Sequence, residues 1–415
     1  MKFNKWTVGL AAVGVVSLAS AARADEQMSQ VQTALSQTTL SGYVDTAMQW
    51  NPGTDQGNGG VLPPPGNVPH YSFAKNDGFS LNAIDVALDR PEDSSQWAAG
   101  YHIEVMAGAN AVGIGGAGGN PFPIGTATLR QAFIRLHTPI GGNGIDWQIG
   151  VFDSIIGYES NSGPLNPNYT RSYGYTIEPT TFTGILGTYK VSDELSISAG
   201  IANQEFVNSY IPANTFESQK AYLGSVSLTA PDSMGFLKGA TLSAGVVNNA
   251  NSITGVTPGS TTSFYAGATL PTPITQLKVG AAFDYLWEAD VATAAITGTA
   301  NRSDNIWVIG GYATFQATDK LSFNFRGEYF SDSSNPGDTI NLYNTVNAGS
   351  GIFLPGNKGE EITATLQYNL WANVMTRGEF RWDHVEHGTP FGANDAGLAF
   401  RSNDFLLALN VVYQF

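Results

Sequence analysis

The 415-residue sequence contains no cysteine and little charge. Only 13% of its residues are charged, and 34 acidic residues outnumber 19 basic ones, giving a formal charge of −15. This acidic balance argues against nucleic acid as a partner, because binding to phosphate requires clustered lysine and arginine. The absence of cysteine fits an exported protein, although it also fits many other proteins.

The sequence also lacks long apolar runs after residue 24 and lacks any proline- or serine-rich linker. Length alone would suggest two or three soluble domains, yet no change in composition divides the chain. Hydrophobicity is instead spread along short alternating runs, with 48 glycines and with aromatic residues near the ends of the runs. This pattern is typical of a transmembrane β-barrel of the bacterial outer membrane.

The N-terminal segment is predicted to be a secretory signal peptide. Lys2 and Lys5 precede an apolar stretch from Val8 to Leu18, and Ala22-Arg23-Ala24 forms a cleavage site before Asp25. The alternative is a membrane anchor, but this stretch is shorter than the roughly 20 residues of a spanning helix. The expected division of the chain is a signal peptide over 1–24, a short periplasmic lead-in over 25–37 and a transmembrane barrel over 38–415.

About sixteen β-strands are predicted from alternation and turn residues, which makes the fold all-β. The predicted spans are 38–50, 79–90, 97–108, 126–138, 145–158, 181–192, 194–206, 218–230, 240–252, 261–272, 277–289, 303–317, 321–332, 359–371, 373–386 and 402–415. Their connections alternate between long and short, which predicts an antiparallel up-and-down barrel with short periplasmic turns and long external loops. The alternative, a soluble β-sandwich or propeller, lacks this rhythm of connections.

The C-terminal segment from Phe405 to Phe415 alternates apolar and smaller residues and ends on an aromatic residue. An unpaired terminal strand of this kind would promote aggregation. We expect it to pair with the first strand, so that the barrel has no free edge. Its apolar face would then contact lipid.

Charged residues in the strands indicate which face points inward. In the segment around residue 380, Arg377 and Arg381 share one face, whereas Phe380 and Trp382 share the other. An arginine facing the middle of the bilayer costs about 2–4 kcal/mol, so two would remove much of a stability of about 5–15 kcal/mol. The residues predicted to line the lumen wall are Asp45, Asp85, Asp89, Arg135, Lys278, Asp284, Arg326, Glu328, Arg377, Glu379, Arg381 and Asp383.

Several longer phrases resemble one protein family. LSGYVDTAMQW, LRQAFIRLHTPIGGNGIDWQIGVFDSIIGYES and NPNYTRSYGYTIEPTTFTGILGTYKVSDELSISAGIANQ look like the putative β-barrel porin-2 family of bacterial outer-membrane proteins. The resemblance implies an outer-membrane porin of a Gram-negative-type bacterium. The aromatic C-terminal strand likewise resembles the signal that the outer-membrane assembly machinery recognises.

By resemblance to sixteen-stranded porins, the connection over 159–180 is expected to fold into the lumen and form its constriction. Mixed charges on opposite walls of a narrow pore set both a transverse field and a size limit. The alternative, an ordinary surface loop, stays open at this stage. The candidate constriction residues are Glu159, Asn161, Tyr169, Arg171, Tyr173, Tyr175 and Glu178.

Motifs for cofactors, metals or catalysis are weak. A G-x-G-x-x-G pattern from Gly113 to Gly118 is followed by Pro-Phe-Pro, where no helix can begin, so it indicates a flexible external loop. His384 and His387 have a spacing that could contact a metal, but polar loop residues are the favoured interpretation. We therefore predict no cofactor, no metal and no catalytic residue.

The favoured function is passive diffusion of small hydrophilic solutes, with a weak preference for cations, because sixteen strands enclose a water-filled lumen. A substrate-selective channel for sugars or peptides is the main alternative, and Tyr169, Tyr173 and Tyr175 could provide stacking surfaces. An outer-membrane enzyme or an adhesin barrel is a weaker alternative. Expected partners are outer-membrane lipid, the solutes, the assembly machinery and, by analogy with other porins, two further copies in a homotrimer.

Overall fold

The computed structural model describes most of the barrel and the connection after its fifth strand. The described residues are 31–32, 38–52, 77–93, 95–114, 127–203, 219–249, 260–291, 302–333, 345–346, 353–354, 357–387 and 401–415. Within these ranges, no helix is long and apolar enough to cross a membrane. The predicted signal peptide and most of the predicted lead-in lie outside the described residues.

Sixteen antiparallel strands form one closed barrel, as the sequence predicts. Each strand pairs with its neighbours in the sequence, and the last strand pairs with the first. In chain order, the strands are β1 (Thr39–Trp50), β2 (Gly78–Arg90), β3 (Ala98–Ala107), β4 (Ala127–Thr138), β5 (Ile145–Asp153), β6 (Thr181–Lys190), β7 (Leu195–Ala202), β8 (Ala221–Thr229), β9 (Thr241–Asn249), β10 (Ser260–Pro271), β11 (Leu277–Val291), β12 (Arg302–Gln316), β13 (Leu321–Asp332), β14 (Asn357–Trp371), β15 (Val374–Val385) and β16 (Asn403–Gln414).

Smaller elements accompany the barrel. The described residues include the short helices α1 (Ala109–Ile114) and α2 (Tyr173–Ile177), a one-turn 3-10 segment at Gly163–Leu165 and a longer one at Asp232–Leu237 that is kinked at Gly235. Val31–Gln32 pairs with the start of β1, and Thr345–Val346 pairs with Phe353–Leu354.

The seam between β16 and β1 closes the barrel. Its register runs from Leu407 opposite Trp50 to Gln414 opposite Tyr43. Every backbone polar group that crosses a bilayer needs an internal partner, and closure supplies one to the strands that would otherwise be edges. The predicted pairing of the last strand with the first is therefore confirmed.

Alternation within each strand separates the inner face from the outer face. In β16, Leu407 and Leu409 are 40% and 58% exposed on the outside, whereas Leu406 is buried. In β13, the exposed Phe325 precedes the buried Arg326. The outer face is thus apolar and the inner face is rich in polar side chains, because a bilayer and a polar interior place opposite demands on successive residues.

Short connections join the strands at one end of the barrel, which we call the turn end, and the start of β1 and the end of β16 lie there. The opposite end, which carries the longer connections, is the loop end. Aromatic side chains lie on the outside towards both ends; Trp307 packs against Tyr329 near the loop end, with ring centroids 5.7 Å apart, and Trp371 is 67% exposed at the turn end. Tryptophan and tyrosine favour the headgroup region at these two levels.

Two β-bulges change which face a side chain occupies. The register shifts at Asn82 between β1 and β2, and at Arg130 between β3 and β4. Both bulged residues are buried, with 0% and 4% exposure. A bulge re-aims a side chain and breaks the strict alternation of the strand.

The predicted span of the fifth strand needs correction. It was predicted to continue to Tyr158, but β5 ends at Asp153, because Gly157 has a φ of 125° and the chain turns inward. The glycine-rich pattern from Gly113 to Gly118 was predicted to lie in a flexible external loop, and its first two residues form the end of helix α1. Residues 115–126, which include most of the glycine-rich pattern, lie outside the described residues.

Candidate functional site

The connection over 154–180, which we call the inner loop, lies inside the barrel. It contains α2 and is largely buried against the inner faces of β10 to β16. Within 154–180, only Leu165 is exposed, at 41%. A buried loop must find partners for its backbone groups, and the barrel wall provides them.

Two charged residues on the inner face of β15 bind the middle of the inner loop through its main chain. Arg377 donates from Nη1 to the carbonyls of Asn166 (3.0 Å) and Asn168 (2.9 Å). The Glu379 carboxylate accepts from the backbone N–H groups of Tyr169 (2.5 Å) and Thr170 (2.8 Å). Charge-assisted hydrogen bonds are the stronger kind, so the loop backbone is firmly attached to this strand.

Arg326 on β13 binds the middle of the loop. Its Nη1 donates to Glu159 Oε1 (2.7 Å) and to the carbonyl of Thr170 (2.8 Å), while Nε donates to Glu361 Oε1 (2.7 Å) on β14. Its Nη2 donates to the carbonyl of Arg171 at 3.1 Å. The guanidinium fork is suited to several acceptors at once, and here it joins loop, β13 and β14.

Helix α2 is held at its start by further carboxylates. Glu328 accepts from the N–H groups of Tyr173 (2.6 Å) and Gly174 (3.2 Å), and the Ser172 hydroxyl caps the helix by accepting from the N–H of Tyr175 (2.9 Å). The Tyr173 hydroxyl donates to Asp383 Oδ1 at 2.5 Å. Asp383 also pairs with Arg381, at 2.7 and 2.8 Å. Serine at the N-cap and acceptors for the first N–H groups are what a helix start requires.

A pair of buried acids closes the far end of the loop. Glu178 of the loop and Asp284 on β11 are both buried, and the charge of Asp284 acts on Glu178. Burial, together with the charge of Asp284, raises the pKa of Glu178 well above its ordinary range. A Cβ at Gly174 would lie 2.5 Å from Asp284 Oδ2, and one at Gly157 would collide with Glu178. The two glycines therefore make room for the two carboxyl groups.

Apolar contacts anchor the root of the loop. Tyr158 stacks on Tyr312 of β12, with ring centroids 4.0 Å apart, and its hydroxyl lies 3.2 Å from the Thr269 hydroxyl of β10. Ile155 and Ile156 are buried in the same cluster. The loop is thus fixed both by packing and by hydrogen bonds.

A continuous chain of ionisable side chains, which we call the charge ladder, runs along the inner faces of β2 to β5 and meets the inner loop at Asp153. Arg135 contacts Asp89 (2.6 Å), Asp89 contacts His102 (2.9 Å), and His102 contacts Glu104 (3.2 Å). Arg130 then joins Glu104 at 2.8 Å to Asp153 at 2.8 Å. Asp153 also accepts from Asn161 of the inner loop at 3.0 Å.

The wall from β6 to β9 contributes small uncharged polar groups. Ser227 and Ser243 share a hydrogen bond of 3.1 Å, and Thr188 and Ser198 share one of 2.9 Å. The interior therefore has a loop-covered wall, a charged wall and a wall of small hydroxyl groups.

The structure brings the sequence-derived candidates into two groups. Six of the seven constriction candidates are buried and Tyr169 is partly exposed; the buried six are Glu159, Asn161, Arg171, Tyr173, Tyr175 and Glu178. Among the lumen-wall candidates, nine are buried under or beside the loop, and these are Asp45, Asp85, Asp284, Arg326, Glu328, Arg377, Glu379, Arg381 and Asp383. Asp89, Arg135 and Lys278 are partly exposed.

Several charged residues of the barrel interior were not predicted from the sequence. Glu361 shares the inward alternation of its strand and could have been found from it. Arg130 could not, because the bulge reverses its face relative to Arg135. Glu104 and Asp153, which bind Arg130, were missed with it.

The histidine pair at the end of β15 has ordinary partners. His384 Nδ1 lies 3.0 Å from Asn403 Oδ1, and its ring stacks on Trp382. Within the part of the chain that the structure describes, no group of three histidine or acidic residues is arranged to hold a metal ion.

Solved structures of outer-membrane proteins share this fold. The outer membrane channel DcaP of Acinetobacter baumannii matches with a TM-score of 0.58 at 12% identity, covering 93% of this chain and 99% of that one. The anion-selective porin from Comamonas acidovorans gives a TM-score of 0.56 at 11% identity, with 91% and 99% coverage. The trimer form of OmpT from Vibrio cholerae gives 0.55 at 11%, also with 91% and 99% coverage.

At such low identity, these structures establish the fold alone. A search of curated protein sequences found no match. The sequence profile described as "Putative beta-barrel porin-2, OmpL-like" matches residues 37–415, which is nearly the whole chain. The chain therefore belongs to this porin family of the outer membrane.

Proposed function

We propose that this porin lets small hydrophilic solutes diffuse passively through the barrel, with a preference for cations. The observation that carries the proposal is a closed barrel with a polar interior, in which the inner loop covers the wall of β10 to β16 and leaves charged side chains on the wall of β2 to β5 partly exposed. Asp89 and Asp153 of the accessible wall keep 27% and 31% of their side chains exposed. The expected narrow zone is the space that the inner loop and the charge ladder border together, since the two meet at Asn161 and Asp153.

The preference for cations follows from the charged side chains that stay partly exposed inside the barrel. Asp89 and Asp153 are more accessible than the two arginines of the charge ladder, Arg130 and Arg135, whose side chains are 4% and 17% exposed. Fixed negative charge along a pore attracts cations and repels anions. The fold alone does not decide this property, since one structural relative is described as anion-selective.

Conductance of the purified protein in a planar bilayer tests both parts of the proposal. We expect single-channel steps and, in a potassium chloride gradient, a reversal potential of the sign that cation preference produces. Absence of conductance would contradict the channel function. A reversal potential of the opposite sign would contradict only the cation preference.

A sugar-selective channel receives less support. Of the three candidate stacking residues, Tyr169 alone is partly exposed. Tyr173 and Tyr175 are 0% and 4% exposed, and the Tyr173 ring packs edge-on against Phe330 at 4.8 Å. Stacking on sugar rings needs an accessible aromatic face. Saturable block of the conductance by sugars would reverse this ranking.

The membrane arrangement is part of the same proposal. We propose that the turn end faces the periplasm, that residues 1–24 are removed on export, and that the protein forms a homotrimer, for which the trimer form of OmpT offers a precedent. Native mass spectrometry of the detergent-solubilised protein tests the trimer, and a monomer at all concentrations would contradict it.

A further inference from the structure

The charges inside the barrel differ in whether a solute can reach them. Glu159, Glu361 and Arg326 have side chains that are 0–1% exposed, because they are buried between the inner loop and the wall. Within the charge ladder, Asp89 keeps 27% and Asp153 keeps 31% of the side chain exposed. The loop therefore removes most of the wall charge from the water-filled space.

From this division we infer that Asp89 and Asp153 set the ion selectivity of the channel, whereas the charges under the inner loop serve to hold the loop. The inference rests on the proposed function as a diffusion channel. It assigns selectivity to the wall of β2 to β5, which the sequence analysis did not separate from the other walls.

Partners of the buried charges explain why they contribute little to selectivity. Glu379 is occupied by two backbone N–H groups of the loop, and Arg326 by two carboxylates and two loop carbonyls. Mobile ions screen interactions over about 8 Å at physiological ionic strength. A permeating ion therefore responds mainly to the charges that face its own water-filled path.

The charge ladder has a balance near zero that single substitutions can alter. Asp89, Glu104 and Asp153 carry three negative charges, and Arg130 and Arg135 carry two positive ones. Both ring nitrogens of His102 lie within 3.2 Å of a carboxylate, which needs the two N–H groups of a protonated imidazole, and this third positive charge brings the balance to zero. The two aspartates are the most exposed members of the ladder, so neutralising both leaves the positive groups to dominate the accessible surface.

Reversal potentials of matched variants provide the first test. We expect Asp89→Asn and Asp153→Asn each to lower the cation preference, and the double variant to reverse the sign of the reversal potential. Asp85→Asn is the control, because Asp85 lies on the inner face of the same strand as Asp89 but is only 3% exposed. It is expected to keep the wild-type reversal potential.

Cysteine accessibility provides a second test that does not depend on the same substitutions. The chain has no native cysteine, so a single introduced thiol is labelled alone. We expect Asp89→Cys and Asp153→Cys in the folded channel to react with a positively charged methanethiosulfonate reagent and to lose cation preference. Asp85→Cys is expected to stay unmodified under the same conditions.

The outcomes separate the two proposals. Absence of conductance in the wild-type protein would refute the channel function itself. A conducting double variant with unchanged cation preference, or introduced cysteines at 89 and 153 that do not react in a conducting channel, would overturn the assignment of selectivity to these two residues.

Discussion

Gly42 and Phe415 exchange two backbone hydrogen bonds across the seam of the barrel. The N–H of Gly42 donates to the carbonyl of Phe415, and the N–H of Phe415 donates to the carbonyl of Gly42, both at 2.9 Å. The Phe415 ring also covers Gly42, since a Cβ at that position would lie 2.8 Å from its Cζ. The terminal aromatic residue therefore needs glycine opposite it on β1.

Replacing Gly42 should weaken the closed barrel. Gly42→Ala puts a methyl group against the Phe415 ring and the Asp85 carbonyl, and overpacking of this kind costs about 1–3 kcal/mol. Urea unfolding followed by tryptophan fluorescence in detergent measures the loss. Gly311→Ala is the control, because its Cβ would meet nothing within 4 Å, and it should be neutral or gain about 0.5–1 kcal/mol. Equal effects of the two changes would refute the role given to Gly42.

Removing the Glu379 carboxylate should release the inner loop. Glu379→Ala leaves the N–H groups of Tyr169 and Thr170 and the Thr365 hydroxyl without this acceptor, and each unsatisfied buried donor costs about 1–3 kcal/mol. Trypsin should then cut the folded protein after Arg171, which is buried in the wild type. Glu360→Ala, on the exposed face of β14, should remain resistant; cleavage of both or of neither would count against the prediction.

Lysine should not substitute for arginine at position 326. Arg326 binds Glu159, Glu361 and two loop carbonyls at once, whereas a lysine ammonium cannot hold this planar arrangement. We expect Arg326→Lys to lower the free energy of unfolding by about 1–3 kcal/mol. Arg135→Lys, at a partly exposed position with Asp89 as its ion-pair partner, should have a smaller effect in the same urea titration. A larger loss at position 135 would contradict this account.

Stability should depend on pH through Glu178, which lies in the inner loop and outside the strands. Its pKa is raised in the folded state, mainly by burial. The folded protein therefore binds a proton that the unfolded chain releases as pH rises above its ordinary carboxyl pKa, so this group opposes folding increasingly at higher pH. Glu178→Gln keeps a neutral side chain of similar shape and should stabilise the protein more at pH 8 than at pH 5.

Thermal unfolding of both proteins across this pH range checks the prediction. The stabilisation by Glu178→Gln should grow with pH. A constant difference between variant and wild type, or one that shrinks as pH rises, would show that Glu178 does not titrate in this way.

Strand positions were predictable because a bilayer and a polar interior impose the same alternation along every strand. The predicted span of β13, for instance, matches the structure at both ends. Arg130 and Asn82 show where this reasoning stops, since a bulge reverses the face of a side chain without changing the local composition. Bulges depend on the register between two strands, which alternation in one strand does not report.

The sequence led us to expect the inner loop in the lumen only through a resemblance to sixteen-stranded porins, and it did not show where the loop is attached. Its attachment depends on backbone groups of Asn166, Asn168 and Thr170, and backbone groups are the same in every residue. The charged residues that bind them, such as Arg377, were recognised as inward-facing, but their partners lie about two hundred positions away. Sequence patterns showed that these side chains face inward, but they did not show which backbone groups the side chains bind.

Attachment through the main chain has a consequence for how this protein can be altered. Peptide groups are common to all amino acids. The hydrogen bonds from Arg377 and Glu379 to the loop backbone therefore do not depend on which side chains the bound segment carries. Leu165 lies in a turn between the carbonyls of Gly163 and Asn166, both of which accept hydrogen bonds from Arg377. Its side chain can therefore be replaced without removing the hydrogen bonds that hold the loop. Redesign of permeation in this barrel can therefore begin at that one site.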